Sequence, residues 1–146
     1  MKQQAKIVLG LAFGDEGKGL STDYLCQQYP NSLVVRFSGG QQCGHQVRIG
    51  QKRHIHSNFG SGTLRGLPSF FTEHCCFYPV TLLNEYKILI NKGVSPVLFL
   101  HPLCKLTTPF DVLANRFSER QKTHGSCGLG IGKTMQREQM GYHLFY

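Results

Sequence analysis

Long apolar runs are missing from this sequence of 146 residues. No run approaches the roughly 20 residues that a membrane-spanning helix needs, so an integral membrane protein is not expected. The start of the chain is basic, but the apolar run behind it is short and ends in Gly14-Asp15-Glu16. This is not the pattern of a secretory signal peptide, and we expect a cytoplasmic protein. Internal repeats and low-complexity linkers are also missing, which favours one domain over residues 1–146.

Cysteine spacings typical of metal sites are missing as well. The six cysteines are irregularly spaced, and no Cys-x-x-Cys pair occurs among them. Cys75 and Cys76 are adjacent, which is not the spacing of zinc ligands. We interpret the cysteines as reduced thiols, and a zinc site is not expected.

Acidic residues are few. The chain has 8 of them against 16 lysines and arginines, which gives a formal net charge of +8. Three interpretations are open: a nucleic-acid-binding protein, a protein that binds small anionic ligands, and a fragment whose acidic half is missing. The basic residues are scattered and form no long block, which disfavours nucleic acid as a partner. Binding of phosphates and carboxylates fits the charge better.

Glycine is abundant, and one glycine-rich stretch directly follows the apolar run at residues 7–13. Residues 14–19 read Gly-Asp-Glu-Gly-Lys-Gly. Glycines let backbone N–H groups approach a phosphate closely, a following helix turns its positive end toward it, and Lys18 adds a charge. Asp15 would repel phosphates unless it holds a metal ion or takes a proton, which suggests chemistry as well as binding.

The spacing of this turn resembles the common phosphate loop without matching it. That loop reads Gly-x-x-x-x-Gly-Lys-[Ser/Thr], but Ala12 stands at its first position here and Gly19 at its last. A plain strand-to-helix turn with an exposed acid and lysine is the alternative interpretation.

Hydrophobic patterning predicts an α/β fold, with a mostly parallel sheet that carries helices on its faces. The predicted strands are residues 6–13, 33–37 and 96–100, a hairpin is predicted over residues 47–56, and the predicted helices are residues 18–28, 79–92 and 109–121. The first strand–helix–strand unit implies a right-handed parallel crossover. The loops after both of its strands then meet at the sheet edge where α/β folds bind ligands.

Three further glycine-rich loops follow, at residues 39–45, 59–63 and 124–134. The first of them offers two flexible glycine sites, two amides and a histidine. The last ends in Gly132-Lys133-Thr134 like a common phosphate loop, but Cys127 stands where that loop needs glycine and no strand precedes it. Four other histidines are interpreted as surface or hydrogen-bonded core residues: His54, His56, His74 and His101.

Together these segments resemble the adenylosuccinate synthetase family. The resemblance is carried by residues 14–19, by residues 35–40 with Gly44-His45, by Ser61-Gly62 and by residues 128–132. The variants at residues 59–66, 107–111 and 124–128 resemble a divergent branch, which includes phage enzymes that use dGMP to make the succinylated precursor of 2-aminoadenine. The resemblance covers the whole chain but only the N-terminal portion of the family, which implies a truncated, nucleotide-binding synthetase domain.

The resemblance implies a ligase of purine-nucleotide biosynthesis. Such an enzyme joins L-aspartate to the six-position of IMP with hydrolysis of GTP, and it gives adenylosuccinate. The alternatives are a phage-type enzyme that uses dGMP, often with ATP, and a truncated fragment that binds nucleotides without catalysis. The implied cofactor is Mg²⁺, and the full-length form would be a homodimer.

The resemblance also assigns roles to residues. Asp15 would take the N1 proton of the purine and bind Mg²⁺, and His45 would be the acid that helps the β,γ-bridge oxygen leave. Lys18 is counted with them because it would hold phosphate during the reaction, and the carbonyl of Gly44 would help to bind Mg²⁺. The other nucleotide-binding positions would be Gly14, Glu16, Gly17, Gly19, Gln42, Ser126 and Cys127.

Several positions depart from the family's pattern. Gln42 stands where the family uses an asparagine near the monophosphate, and its side chain is longer. Ser126 and Cys127 replace two threonines, and a thiol is a weak hydrogen-bond donor. Leu129 replaces an arginine of the usual loop. The arginine that the family lends across its dimer interface has no clear match, and Arg137 is the nearest candidate.

Two further points leave the substrate open. The phage enzymes usually have a smaller residue at the position of Asp15, so its presence favours IMP, whereas the other loops favour dGMP. The aspartate-binding loop and the base-recognition site for the nucleoside triphosphate are expected beyond Tyr146. Residues 142–146 are apolar, and we expect them to form a strand.

Overall fold

The structure is a computed structural model, and it describes residues 4–119 and 126–145. Within these ranges the helices are α1 (Lys18–Gln28), α2 (Pro79–Asn91), α3 (Pro109–Glu119) and α4 (Ile131–Gln139). The strands are β1 (Val34–Arg36), β2 (His45–Ile49), β3 (Lys52–His56), β4 (Ser69–Phe71), β5 (Cys76–Phe77), β6 (Leu98–Leu100) and β7 (Lys105–Leu106). A 3₁₀ turn spans Thr63–Arg65.

Strands β1, β4 and β6 form a parallel sheet with β4 at its centre. In this sheet Val34 pairs with Ser69, and Ser69 pairs with Leu98. The hairpin lies in the connection from β1 to β4, and α2 lies in the connection from β4 to β6. Parallel strands need long crossover connections of this kind. The predicted α/β class with a parallel sheet is confirmed.

Two two-stranded sheets complete the β-structure of the described residues. Strands β2 and β3 are antiparallel and form the predicted hairpin, which turns at Gly50 in the left-handed region (φ 57°). Strands β5 and β7 are parallel. The strand predicted at residues 142–146 is reduced to one bridge between Phe145 and Lys105, and Tyr146 lies outside the described residues.

Among the described residues, the core contains two clusters that share Leu82 and Leu98. The buried members of the first cluster are Phe71, Cys75, Phe77 and Cys104, and those of the second are Phe59, Leu89 and Val94. The six cysteines, all of which lie in the described ranges, are free thiols. Burial raises the pKa of Cys76 to about 11 and that of Cys104 to about 12, so both act as small apolar side chains near pH 7.

The strand predicted over residues 6–13 is wrong. This segment forms no strand in the structure, and most of its apolar side chains face solvent: Leu11 is 93% exposed and Ile7 is 80% exposed. A buried strand needs neighbours that take its backbone hydrogen bonds and layers that cover its side chains. The sheet β1-β4-β6 supplies neither to this segment.

The helices agree better with the predictions. Helix α1 has the predicted bounds, α2 ends one residue earlier than predicted, and the predicted end of α3 at Gln121 lies outside the described residues. Helix α4 was not predicted, because its glycine-rich, polar start reads as a loop. In the described ranges, no helix combines the length and apolar character that crossing a membrane requires.

Candidate functional site

The loop at residues 14–19 lies against the start of the hairpin. A Cβ atom added at Gly19 would lie 2.5 Å from the Cβ atom of His45, so this approach requires glycine. Gly19 is buried in the first turn of α1, and His45 is the first residue of β2. The structure therefore brings the predicted phosphate loop and the histidine predicted as an acid together.

Inside this loop, Glu16 is the central acceptor. Its carboxylate accepts a hydrogen bond from the Ala12 N–H (2.5 Å) and forms an ion pair with Lys18 Nζ. The hydrogen bond from Lys18 is the main cause that lowers the pKa of Glu16. A phosphate group that binds here would compete with Glu16 for the Lys18 ammonium.

The backbone of the loop enters the positive-φ region at three of its residues. Gly14, Asp15 and Gly17 all have positive φ values, of 118°, 53° and 73°. When right-handed and left-handed backbone conformations alternate over a few residues, successive N–H groups point to one side and form a concavity for anions. Gly17 precedes α1, and no side chain of the described residues caps this helix end. The first N–H groups of α1 are thus suited to a phosphate.

Asp15 is exposed at the tip of the loop, and Gly44 is exposed before β2. A left-handed backbone is uncommon for residues other than glycine, and aspartate tolerates it better than most. The Asp15 carboxylate and the Gly44 carbonyl are both hard oxygen donors open to solvent. This donor chemistry fits Mg²⁺, which takes one or two protein oxygens and completes its shell with water and phosphate oxygens.

Arg36, the last residue of β1, organises the second loop. Its guanidinium donates to the carbonyl oxygens of Ser57 (2.5 Å) and Gly40 (2.8 Å) and contacts Cys43 Sγ (3.0 Å). It also lies over the ring of Phe71, 4.7 Å from the centroid. These contacts fix the path of residues 39–44 toward His45.

The environment of His45 favours its neutral form. Burial is the main cause that lowers its pKa, and the charges of Arg36 and Lys18 lower it further. A neutral imidazole still has one ring N–H to donate. The electrostatics therefore suit a group that donates a hydrogen bond to an oxygen as negative charge develops on it.

The second and fourth loops also meet. The buried Gln41 side chain donates from Nε2 to the carbonyl of Leu129 at 2.9 Å. A Cβ atom added at Gly40 would lie 3.0 Å from Ile131 Cδ1, at the start of α4. The loop after β1 thus joins the start of α1, through His45, to the start of α4.

Helix α3 holds the fourth loop in place. Asn115 Oδ1 accepts a hydrogen bond from the Gly130 N–H (2.9 Å), and Arg116 Nε donates to the Gly128 carbonyl (3.1 Å). The hydroxyl of Ser126 lies 3.2 Å from Asn115 Nδ2 and accepts a hydrogen bond from the Gly128 N–H. Ser126 is exposed, so this network presents its hydroxyl at the surface of the loop.

The remaining predicted positions are placed differently. Gln42 and Cys127 are exposed on the second and fourth loops. The third loop is buried: a Cβ atom added at Gly62 would lie 2.6 Å from Cys26 Sγ, under α1. This loop is therefore required for packing between α1 and the sheet. Residues 124 and 125 of the fourth loop lie outside the described residues.

Arg137 has intrachain partners in the structure. Its guanidinium pairs with Asp111 (3.2 Å) and Glu138 (2.8 Å) and donates to the carbonyl oxygens of Leu106 and Tyr142 (both 2.6 Å). These contacts join α4 to α3 and β7. An arginine that reaches across a dimer interface would have to give them up, so Arg137 is a poor match for that role.

The sequence pattern missed three residues that shape the site: Arg36, Gln41 and Asn115. Arg36 could have been found, because an arginine at the end of a strand before Gly39-Gly40 is placed to hold the loop's carbonyl groups. Gln41 and Asn115 carry no such signal, since their roles depend on α4, which was not predicted.

Comparisons with known proteins cover the residues of the candidate site. The sequence model of the family described as adenylosuccinate synthetase matches residues 7–141. An adenylosuccinate synthetase of Borrelia duttonii (strain Ly) is 30% identical over 128 residues, which are 86% of this chain and 30% of that protein. The Neisseria gonorrhoeae (strain ATCC 700825 / FA 1090) protein of the same name is 35% identical over 133 residues, with the same coverage of both chains.

Two solved structures show the same fold. The fully ligated adenylosuccinate synthetase from Plasmodium falciparum superposes with a TM-score of 0.79 at 22% identity, over 94% of this chain and 33% of that one. The succinoaminodeoxyadenylate synthetase of cyanophage S-2L, bound to dGMP and to dATP as an energy donor, gives a TM-score of 0.73 at 19% identity. It covers 91% of this chain and 38% of the phage chain.

The sequence match therefore extends through the four glycine-rich loops and the sheet between them. The chain spans about 30% of the length of the curated relatives that it matches. On the match over residues 7–141, this chain belongs to the adenylosuccinate synthetase family.

Proposed function

We propose that this chain forms the phosphate-binding and acid–base part of a C–N ligase of purine-nucleotide biosynthesis. The ligase would join L-aspartate to the six-position of IMP with hydrolysis of GTP. The observation that carries this proposal is the approach of Gly19 to His45, which places the loop at residues 14–19 beside a half-buried imidazole. Membership of the family supports the reaction class.

The chemistry requires a base and an acid at the two ends of a phosphoryl transfer. O6 of IMP would attack the γ-phosphorus of GTP while Asp15 takes the proton from N1. The bond from the γ-phosphorus to the β,γ-bridge oxygen breaks, and His45 donates a hydrogen bond from its ring N–H to that oxygen. The amino group of aspartate then attacks C6, the C6–O6 bond breaks, and the departing inorganic phosphate takes the proton that the amine loses.

Binding of the two nucleotides would use different loops. Lys18 and the N–H groups of residues 16–19 would hold the phosphates of GTP, with Glu16 released from Lys18 as they bind. Gln42, Ser126 and Cys127 would face the monophosphate of IMP. The first two offer an amide and a hydroxyl as donors, whereas the Cys127 thiol donates only weakly.

Asp15 and the Gly44 carbonyl would hold Mg²⁺. When bound, this ion neutralises phosphate charge and removes the repulsion between Asp15 and the phosphates. Around it, Asp15 fixes the N1 side of the purine and Lys18 fixes the phosphate chain. The residues that this chain does not contain, including those that bind L-aspartate, would come from a further part of a longer protein, and such a protein would act as a homodimer.

The second candidate substrate is dGMP, with ATP as the possible donor. The loop variants at residues 59–66 and 124–128 favour it, and Asp15 favours IMP. Parallel assays with IMP and dGMP, each with GTP and with ATP, separate the two. A preference for dGMP would show that Asp15 does not exclude the 2-amino group.

The test is formation of the succinyl-nucleotide by a protein that carries this chain. Asp15→Asn and His45→Ala should each lower kcat by at least about 10²-fold, because the first removes the proposed base and the second removes the hydrogen-bond donor to the leaving oxygen. His74→Gln changes an exposed histidine and should keep the activity. Activity like that of the wild type in Asp15→Asn or His45→Ala would contradict the assigned roles. Product formed by the 146-residue chain alone would exclude the alternative of a non-catalytic fragment.

A further inference from the structure

A second cluster of titratable side chains lies between the hairpin and α2. His54 and His56 are on β3, Glu85 is on α2, and each is at most 6% exposed. Residues two apart on a strand point to the same face. The His-Ile-His sequence therefore presents both imidazoles toward the same helix, with Ile55 on the other face.

The separations within this cluster are close to those of metal ligands. His54 Nε2 lies 3.1 Å from Glu85 Oε1, and His56 Nδ1 lies 3.8 Å from the same oxygen. One ligand atom from each residue can be chosen so that all three lie within 4.8 Å of one another. Zinc with bonds of about 2.0–2.2 Å places neighbouring ligands of a tetrahedron roughly 3.3 Å apart. Small side-chain adjustments would bring the three atoms to that spacing.

His56 is the unexplained member. It is fully buried, and neither ring nitrogen has a hydrogen-bond partner among the described residues. Buried polar atoms almost always have a partner, so an orphaned imidazole points to a missing one. Burial is the main cause that lowers the pKa of His56 to about 4. The ring is therefore neutral near pH 7, which is the form that binds a metal ion.

Glu85, in contrast to His56, has many hydrogen-bond partners. Its two oxygens accept hydrogen bonds from the N–H groups of Ser57, Asn58 and Phe59 and from the Asn58 side chain. These bonds hold the carboxylate ionised and fixed in orientation. Hydrogen bonds to a ligating carboxylate are what a metal site needs from its surroundings.

We propose that His54, His56 and Glu85 form a zinc site, with two imidazole nitrogens and one carboxylate oxygen as ligands. This donor set suits Zn²⁺, and a water molecule would complete the tetrahedron. The ion would join β3 to α2. Because His56 pairs directly with His45 across the hairpin, the ion would also fix the strand that begins at the candidate site. The cysteine spacing that argued against zinc does not bear on a site built from histidine and glutamate.

Lys92 competes with this site and provides a way to test it. Its ammonium donates to His54 Nδ1 (3.1 Å) and to the Arg53 carbonyl (2.6 Å). His54 Nδ1 is thus an acceptor, and the ring proton is on Nε2, where it faces Glu85. Zinc at Nε2 requires this proton to move to Nδ1, which displaces Lys92 from the ring. Removal of the ammonium should therefore strengthen metal binding.

The experiment is a titration of the metal-free protein with Co²⁺, followed by displacement with Zn²⁺. Bound Co²⁺ should give the visible absorption of a tetrahedral site at a stoichiometry of one, without the near-ultraviolet band of thiolate ligands. His56→Gln should weaken binding by at least about 10-fold, because changes even in outer partners of metal sites have effects of this size. His74→Gln is the matched control on an exposed histidine and should leave the affinity unchanged.

Lys92→Met provides the second arm and does not depend on the folding of a variant with an altered core. It should tighten Co²⁺ binding several-fold, whereas Lys87→Met at an exposed position of α2 should not. No visible absorption in the wild-type protein, a thiolate band, or an affinity that Lys92→Met leaves unchanged would each overturn the proposal.

Discussion

Two apolar segments of this chain have opposite environments. Phe71, at the end of the central strand β4, is 1% exposed, whereas Phe13 in the leading segment is fully exposed. Phe13 ends a short apolar run before Gly14, which is the pattern of a buried strand, whereas Phe71 ends a run of only two apolar residues before Thr72. A short apolar run shows that a segment can be buried. Whether it is buried depends on the neighbouring strands and helices.

The same difference separates the candidate site into two parts. Arg36 on β1 holds the second loop, Gln41 joins the second loop to the fourth, and Asn115 on α3 holds the fourth loop. The first loop has internal contacts through Glu16 and one close approach, from Gly19 to His45. The well-supported part and the sparsely supported part therefore meet where Gly19 approaches His45.

The largest expected effect tests this contrast directly. Phe71→Ala removes a ring from the first core cluster and should lower the free energy of unfolding by about 3–5 kcal/mol. Phe13→Ala removes an exposed ring and should change it by less than about 0.5 kcal/mol. Urea denaturation of both variants measures the difference. Similar losses for the two would show that the leading segment is packed in solution.

A second effect concerns pH and the cluster between the hairpin and α2. His56 has a pKa of about 4 in the folded chain against an ordinary value of 6.5, so the unfolded chain binds more protons between these values. The free energy of unfolding should therefore fall as the pH falls from 6.5 to 4, by on the order of 3 kcal/mol. Burial opposes ionisation of Glu85, but hydrogen bonds from His54 and Asn58 outweigh it and lower its pKa. Glu85 adds to the loss in the same direction at the acid end.

Urea denaturation at several pH values, with a chelator present, measures this slope. His56→Gln should reduce the slope between pH 6.5 and 4, since it removes the group with the larger lowering of pKa, and His45, whose pKa is also lowered, should account for the slope that is left. The exposed His74 has no such burial, so His74→Gln should keep the slope of the wild type. A flat profile in the wild-type chain would contradict the burial of His56.

The third effect concerns the contact between the two parts. Gly19→Ala places a methyl group 2.5 Å from His45 Cβ, and should cost about 1–3 kcal/mol of stability or displace the first loop. Gly132→Ala is the control in helix α4, where an added Cβ atom has no neighbour within 4 Å among the described residues. That variant should gain up to about 1 kcal/mol from helix propensity. Equal stabilities would show that α1 and the hairpin are not in close contact.

Local patterns were enough to predict much of this fold. Helix α1 has its predicted bounds because glycine precedes it and Pro30-Asn31 follows its end. The hairpin was predicted from short apolar alternation around Gly50. Strand β4 was missed because Phe70 and Phe71 follow Pro68 in a run too short for its period to be read.

Only the parts of the candidate site that contain spaced glycines could be predicted from the sequence. Residues 14–19 and Gly44-His45 were identified from their sequence, and the structure places these two segments side by side. The cluster of His54, His56 and Glu85 was not identified, although the spacing of His54 and His56 places both on one face of a strand. Its third member, Glu85, is distant in sequence and comes close only because α2 packs on the hairpin, and no local pattern reports such packing.

The smallest expected effect on stability is that of Asp15→Gly, which tests whether Asp15 serves the stability of the first loop or its function. Asp15 has a left-handed backbone (φ 53°), which glycine adopts more easily, but glycine also loses more entropy on folding. These terms oppose each other, so Asp15→Gly should change the free energy of unfolding by less than about 1 kcal/mol. The proposed base is lost in this variant, so ligase activity of a protein that carries this chain should fall as it does in Asp15→Asn. A loss of several kcal/mol would instead mean that the Asp15 side chain stabilises the loop, and the first loop would then belong with the well-supported part of the site.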